Sequence, residues 1–224
     1  MRRPACNCLS PRPRLAKRLF DIVGAALALL LLAPVLAAVA LWVKLDSPGP
    51  VFFRQERVGR HGVPFRIYKF RTMRADAPAR GLQLTVGADP RITRAGAFLR
   101  RTRLDELPQL WDVLRGTMSL VGPRPEVPRY VAHWPAELRA PLLAVRPGLT
   151  DPASLANIDE AQVLAAAADP EREYIEHLMP AKLRLSAAYA ARATLATDLA
   201  LLLQTAARLL GAGRSVQSQN PTLK

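Results

Sequence analysis

The sequence is poor in the residues and motifs that mark several common kinds of functional site. It holds only two cysteines, Cys6 and Cys8, both near the start, which excludes a disulfide framework and a four-ligand zinc site. The three histidines, His61, His133 and His177, lack the spacing of metal ligands. No G-x-S-x-G elbow, P-loop or G-x-G-x-x-G occurs, so hydrolase triads, P-loop kinases and NAD enzymes lose support.

Acidic residues are also few compared with basic ones. The chain has 224 residues, with 32 Lys and Arg against 18 Asp and Glu, a formal net charge of +14. A surface this basic attracts anions, which include nucleic acid, acidic lipid head groups and phosphorylated small molecules. Half of the residues are hydrophobic, and the length suits one compact domain with appended segments. Composition alone does not choose among these partners.

One long segment carries no charge at all. Residues 22–43 contain no charged side chain, and as a helix they would extend about 33 Å, enough for a hydrocarbon core of roughly 30 Å. A cleaved signal peptide is the first alternative, but its apolar region is usually only about 7–15 residues long. The segment is therefore predicted to lie in a membrane.

The flanks of this segment favour a hairpin over a simple span. Basic residues prefer the cytoplasmic side, and here they stand both before and after the apolar run. Pro34 lies at its middle, where the missing N–H and the ring clash bend or break a helix. We therefore predict a re-entrant helix at residues 15–46, bent at Pro34. The alternative is an ordinary span with a proline kink, because transmembrane helices tolerate proline. The flanking basic residues are Arg12, Arg14, Lys17, Arg18, Lys44, Arg54, Arg57 and Arg60.

The rest of the chain is predicted to be an α+β fold, mostly helical with a small β-hairpin. Strand composition at 51–53 and 65–70 brackets a turn at 59–62. Residues 74–90 resemble a loop, and a helix from Leu99 breaks near Leu104 and restarts from Asp105 to Leu114, ending at Gly116. Short helices are predicted at 137–145 and 160–168.

The chain therefore divides into five predicted segments. Residues 1–14 and 212–224 are tails, and the first is expected to be basic and disordered. The membrane helix occupies 15–46 and the main domain 47–180. An alanine- and leucine-rich helix at 181–211 either lies in the membrane interface as an amphipathic helix or packs as a core helix.

Three constellations of charged residues could form a catalytic or phosphate-binding site. Asp105 and Glu106 are adjacent, so on a helix they point about 100° apart and would do different jobs. An ionised aspartate at a helix start could attack a phosphorus atom or hold Mg²⁺ against a diphosphate. Lys69 and Arg71 alternate onto one face of a strand, and two prolines hold Arg124 on a stiff loop suited to phosphate recognition. The alternatives are a solvated helix start, a basic surface strand and a surface loop.

In this order, behind a basic-flanked apolar segment, these constellations resemble the bacterial sugar transferase family, the monotopic polyprenyl-phosphate phosphoglycosyl transferases. Six segments carry the resemblance and together extend over most of the chain. They are residues 17–21 (KRLFD), 49–59 (GPVFFRQERVG), 68–73 (YKFRTM), 104–111 (LDELPQLW), 118–125 (MSLVGPRP) and 146–150 (RPGLT).

The resemblance implies transfer of a sugar 1-phosphate from a UDP-sugar to undecaprenyl phosphate or a similar lipid, with release of UMP. It implies that Asp105 is the nucleophile of a covalent aspartyl-phosphosugar intermediate, and that Glu106 supports metal or site geometry. Mg²⁺, or Mn²⁺, would bind at Asp105, and Lys69, Arg100 and Arg124 would bind substrate phosphates. This would be the first membrane step of glycan assembly, such as exopolysaccharide, O-antigen or glycoprotein assembly.

The resemblance also implies a monotopic protein on the cytoplasmic face of the bacterial inner membrane, in contact with membrane lipid. Two departures from the common pattern are expected to matter. Ala33 precedes Pro34 where many members have serine, and Asp151-Pro152 follows the last shared segment. The sequence identifies neither the sugar nor the pathway, and it leaves a homodimer open.

Two other functions are alternatives to a transferase. A membrane-anchored nucleic-acid-binding protein would suit the charge, but the sequence has no recognition-helix motif and no RNP-like aromatic pattern, so no nucleic-acid partner is expected. A catalytically silent lipid-binding scaffold is the other alternative, and the intact Asp105-Glu106 pair argues against it.

Overall fold

The computed structural model describes residues 11–77, 89–156 and 160–209. The first ten residues of the predicted N-terminal tail, the predicted tail at 212–224 and most of the predicted loop at 74–90 lie outside the described residues. Within those ranges the chain is mostly helical with two small sheets, which confirms the predicted class. Its helices are α1 Pro11–Asp46, α2 Arg94–Thr102, α3 Gln109–Arg115, α4 Pro128–Val131, α5 Ala136–Leu143, α6 Pro152–Leu155, α7 Glu160–Ala166, α8 Pro170–Glu173, α9 Met179–Arg192 and α10 Leu195–Leu209. Its strands are β1 Phe52–Val58, β2 Pro64–Phe70, β3 Ser119–Val121 and β4 Gly148–Thr150.

Helix α1 is 36 residues long and begins at Pro11, four residues before the predicted start of the membrane helix at residue 15. Prolines fit the first turn of a helix, because the N–H groups there have no intrahelical acceptor. The helix continues through Pro34 without interruption. Its residues Leu15–Asp46 form the one helix of the described chain that is long and apolar enough to cross a membrane. Re-entry and the bend at Pro34 stay predictions.

The two ends of α1 pack on the same domain. Near its start, the buried Asp21 carboxylate accepts hydrogen bonds from the Ser119 hydroxyl and the Leu120 N–H, both at 3.1 Å. Near its end, Val43 is 2 % exposed and belongs to the core cluster of Phe70 and Leu99. The middle of the helix does not pack on the domain, since Leu30 and Leu31 are each 74 % exposed.

The predicted hairpin is confirmed and is longer than its sequence pattern indicated. Strands β1 and β2 pair antiparallel, from Phe52 opposite Phe70 to Val58 opposite Pro64. A 3-10 turn, Arg60–Gly62, joins them. The strand predicted at 51–53 was too short. The charged residues after Phe53 continue β1 to Val58, where they are exposed or half-buried.

The helix predicted from Asp105 to Leu114 is in fact a 3-10 turn, Leu104–Glu106, followed by α3. The preceding helix, α2, starts earlier than predicted because Thr93 caps it, its side chain accepting from the Gly96 N–H. Gly96 is required by packing, since a Cβ there would lie 2.0 Å from the Thr72 carbonyl oxygen. The predicted end of α3 at Gly116 is confirmed, with the glycine in the left-handed conformation at φ 85°.

The short strands β3 and β4 form a parallel pair that the sequence did not predict. They support a core of α1, α3 and β2 residues that includes Ala25, Ile67 and Val113, and a second core lies among α4, α5 and α9. The helices predicted at 137–145 and 160–168 correspond to α5 and α7.

The single helix predicted at 181–211 is two helices, α9 and α10. The helix stops because Ala193 adopts an extended backbone, with ψ 127°. Thr194 and Thr197 then bond each other's backbone N–H groups, at 2.8 and 3.2 Å, in the manner of a helix N-terminal cap. Inward, Leu201 and Leu202 of α10 pack on the core.

Candidate active site

The Asp105-Glu106 pair lies on the tight turn between α2 and α3. Arg103 ends α2 in the left-handed conformation, which turns the chain sharply into Leu104–Glu106. Both carboxylates are 7 % exposed. Although adjacent, they have entirely different surroundings.

Glu106 is held by two cations. Its Oε1 atom lies 2.7 Å from the Lys69 Nζ atom, and both of its oxygens accept from the Arg124 guanidinium, Oε2 from Nη1 at 3.0 Å and Oε1 from Nη2. Burial opposes ionisation of Glu106, but the charges of Arg124 and Lys69 outweigh it and hold the pKa well below its ordinary value. Glu106 is therefore an anion whose two oxygens are already occupied.

Asp105 has no such partners. Its Oδ1 atom is buried and has no hydrogen-bond partner among the described residues. Burial and the neighbouring Glu106 carboxylate raise its pKa, against the opposing charges of Lys69, Arg100 and Arg124. The site thus contains one carboxylate held by two cations and one carboxylate with an unpartnered oxygen, an arrangement compatible with a nucleophile beside a supporting residue.

Arg100 reaches the pair from the last turn of α2. Its Nε atom donates to the Thr72 hydroxyl at 2.9 Å. Burial lowers the pKa of Arg100, whereas the nearby Asp105 raises it. The structure thus brings together all five predicted site residues: Lys69, Arg100, Asp105, Glu106 and Arg124.

Arg71 does not join this group. Strand β2 ends at Phe70, so the alternation that the sequence predicted does not extend to Arg71. Its buried guanidinium instead donates to the carbonyl oxygens of Pro48 and Ser47, at 2.5 and 2.7 Å, and to that of Val43 at 3.2 Å. Arg71 therefore fastens the end of α1 to the strand that carries Lys69.

Two further side chains, those of Asp112 and Arg57, position Lys69 and Arg124, and neither residue was predicted to belong to the site. The Asp112 carboxylate accepts from the Tyr68 N–H at 2.8 Å, which ties β2 to α3 next to Lys69. Arg57 donates to the Pro125 carbonyl at 3.0 Å and to the Glu126 carboxylate at 3.1 Å. Arg57 lies within one of the segments that carry the family resemblance and Asp112 directly follows another, so the resemblance could have pointed to both residues.

The loop of Arg124 is held on both sides. The Gly122 N–H donates to the Thr150 carbonyl at 3.1 Å, and the Gly148 N–H donates to the Pro123 carbonyl at 2.9 Å. On the hairpin side, the Val58 N–H donates to the Glu126 carbonyl at 2.8 Å. The predicted stiffness of this loop therefore comes from its neighbours as well as from its prolines.

The residues present suit a metal ion that is held mainly by substrate. Within the described ranges no group of three or more His, Cys, Asp or Glu side chains could hold a metal by itself. Asp105 offers one buried, unpartnered oxygen, whereas Glu106 has none to spare. Mg²⁺ is commonly bound by one or two carboxylates together with substrate phosphates and waters. This donor set fits that arrangement, and Asp105 is the residue that would hold the ion.

A family model described as bacterial sugar transferase matches residues 12–212, which is most of the chain. The chain belongs to the bacterial sugar transferase family. This confirms the family and the enzyme class, phosphoglycosyl transferase, that the sequence predicted.

Three relatives show how this member compares with other proteins. The UDP-N-acetylgalactosamine-undecaprenyl-phosphate N-acetylgalactosaminephosphotransferase of Aeromonas hydrophila is 42 % identical over 75 % of this chain and 39 % of its own length. The UDP-glucose:undecaprenyl-phosphate glucose-1-phosphate transferase of Escherichia coli is 48 % identical over 63 % of this chain and 31 % of its own length. The exopolysaccharide production protein PSS of Rhizobium leguminosarum is 59 % identical over 48 % of this chain and 54 % of its own length. The matched part thus spans about half or less of each of these proteins.

Proposed function

We propose that this protein transfers a sugar 1-phosphate from a UDP-sugar to undecaprenyl phosphate or a similar polyprenyl phosphate, with release of UMP. The observation that carries the proposal is the pairing of an unengaged, buried Asp105 with a cluster of Lys69, Arg100 and Arg124. Family membership and the activities in the names of the relatives support the same reaction. The name of the Rhizobium relative favours an exopolysaccharide pathway among the glycan classes.

The proposed chemistry has two displacements at one phosphorus. In the first, an Asp105 carboxylate oxygen attacks the β-phosphorus, the bond from that phosphorus to the bridging oxygen breaks, and UMP leaves. In the second, a phosphate oxygen of the lipid attacks the same phosphorus, and the Asp105 carboxylate leaves. The product is a lipid diphosphate sugar, and Asp105 returns to its starting state.

The cations make these steps electrostatically feasible. An anionic nucleophile, a diphosphate and a lipid phosphate repel one another, so positive charge must be in place before they meet. Glu106 keeps Lys69 and Arg124 together at fixed positions, and the Thr72 hydroxyl orients Arg100. We assign Glu106 to positioning these cations, because both of its oxygens are occupied. When bound at Asp105, Mg²⁺ or Mn²⁺ would offset the charge of the donor diphosphate.

We also propose that the protein is monotopic, with α1 re-entering the cytoplasmic face of the inner membrane. Asp21 and Val43 are separated by about 33 Å along a straight helix, which is the thickness of the hydrocarbon core. Both residues pack on one small domain, and the bare residues between them include Leu30 and Leu31. A straight span would carry the two ends to opposite surfaces, where one domain could not contact both. Re-entry places Asp105 where a soluble UDP-sugar and a lipid phosphate meet.

The test of the reaction uses the full chain in lipid nanodiscs with Mg²⁺, undecaprenyl phosphate and a panel of UDP-sugars. We expect UMP release with at least one donor, and an acid-quenched adduct of one phosphosugar by intact-mass measurement. Asp105→Asn should abolish both signals. Asp169→Asn is the matched control, because Asp169 caps α8, is not among the site residues, and an amide keeps that cap. UMP release by Asp105→Asn would overturn the nucleophile, and no release with any donor by the unmodified protein would favour the scaffold alternative.

The topology has its own experiment. With Cys6 and Cys8 changed to serine, single cysteines replace Leu15 and Leu45, which are 73 % and 76 % exposed. In sealed vesicles an impermeant maleimide should label both from the same side. Labelling from opposite sides would defeat re-entry.

A further inference from the structure

Arg103 occupies a backbone conformation that its side chain does not favour. It lies at φ 59° and ψ 13°, in the left-handed region, where it ends α2. Glycine or asparagine usually fills this position, because a Cβ is crowded there. His61, at the hairpin turn, is the other non-glycine residue with positive φ in the part of the chain that the structure describes. A residue held this way beside a reactive group suggests a functional reason.

The charge of Arg103 is available, whereas that of its neighbours is engaged. Lys69 and Arg124 are ion-paired with Glu106, and Arg100 donates to Thr72. The Arg103 side chain is exposed, and its guanidinium makes no hydrogen bond or ion pair with any described residue. Its backbone forms the start of the turn that carries Asp105, two residues further along the chain.

A further cation at the site would favour the binding of phosphorylated substrates. The site's three other cations and two carboxylates leave a single net positive charge. Mg²⁺ at Asp105 would offset the charge of a donor diphosphate, but the lipid phosphate of the second step brings further negative charge. A guanidinium that is not already paired can contact a phosphate without breaking an existing ion pair.

We propose that Arg103 is a further phosphate-binding residue of this site, presented by the left-handed turn two residues before Asp105. This inference rests on the proposed function and adds a residue to it. The ligand chemistry is a phosphate group, and its source is either the donor diphosphate or the acceptor monoester. Residues 103 to 105 therefore carry both the cation and the nucleophile on one short segment.

The test measures KM separately for the UDP-sugar and for undecaprenyl phosphate in nanodiscs. Arg103→Gln should raise one of the two KM values roughly tenfold, the effect of losing one charge-assisted hydrogen bond. Arg103→Lys should recover part of the loss. Arg101→Gln is the control, because Arg101 is also exposed and lies over the Phe98 ring, 5.7 Å from its centroid. The raised KM identifies which substrate supplies the phosphate.

A glycine variant separates charge from backbone geometry. Arg103→Gly removes the guanidinium but suits the positive φ, so it should fold and melt at least as well as the unmodified protein. We expect it to show the same raised KM as Arg103→Gln. Unchanged KM values for both substrates in both variants, or equal changes in Arg101→Gln, would overturn the inference. An unmodified protein that releases no UMP would instead refute the proposed function.

Discussion

Replacing Glu106 by glutamine should destabilise the protein, although the change is nearly isosteric. The substitution keeps the shape of the side chain but removes the charge that Lys69 and Arg124 share. The two cations would then lie close together without their common counter-ion. Since glutamine accepts only through one oxygen, at least one of the three hydrogen bonds is also lost.

The size of the effect follows from burial. Removing one partner of a buried ion pair costs about 3–5 kcal/mol. Here the side chains of Glu106, Lys69 and Arg124 are 10 %, 18 % and 31 % exposed, so water screens part of the interaction. We therefore expect a loss of about 2–3 kcal/mol in the free energy of unfolding. For a chain of this size, that corresponds to a fall of roughly 4–12 °C in Tm.

The assay is thermal unfolding of the full chain in one detergent, followed by tryptophan fluorescence, with Asp105→Asn as the matched comparison. The raised pKa of Asp105 means that folding disfavours its charged form. This group therefore opposes stability once the pH is high enough to ionise it, and the neutral asparagine removes that penalty. Asp105→Asn should lose all turnover while its Tm stays level or rises.

The contrast between the two variants decides the reasoning. If Glu106→Gln melts within 1 °C of the unmodified protein, where about 4 °C is the smallest fall expected, Glu106 does not position the two cations. An equally large fall in Asp105→Asn would mean that Asp105 is also a structural ion-pair partner, contrary to its unpartnered oxygen.

Three other measurements test separate parts of the structure. Burial lowers the pKa of Lys69, so activity should decline with rising pH below the ordinary lysine pKa of 10.5, as the ammonium loses its proton. Lys69→Arg should move this decline to higher pH. If the decline does not move, another group is responsible for it. Arg71→Met removes three hydrogen bonds to carbonyl oxygens and should lower the free energy of unfolding by about 3 kcal/mol, which a lower Tm would show. An unchanged Tm would show that these bonds are not needed to hold the end of α1. Leu203 is an apolar residue of α10 that is 62 % exposed. A bimane label on a cysteine replacing Leu203 should be quenched by brominated lipids, whereas a label on a cysteine replacing the exposed Gln204 should not. Equal quenching of the two labels would argue against an interfacial α10.

The local features of the fold could be predicted because their causes are local. The charge-free run at residues 22–43 and the glycine that ends α3 at Gly116 depend on neighbouring residues, and the structure has both as predicted. The start of α3 was predicted too early. The left-handed Arg103 and the 3-10 turn at Leu104–Glu106 interrupt a segment whose composition is compatible with helix.

The sequence by itself determined the long apolar segment, the family and the five residues that could form the site, because motif order and hydrophobic pattern are properties of the chain. Only the tertiary structure decided which of those side chains pair with each other. Lys69 and Arg71 are two positions apart, yet one pairs with Glu106 and the other holds the end of α1, since β2 ends between them. Asp105 and Glu106 are adjacent, yet only Glu106 meets Arg124, from 18 residues further along the chain. Which charges are paired depends on contacts between distant segments, and those contacts exist only once the chain has folded.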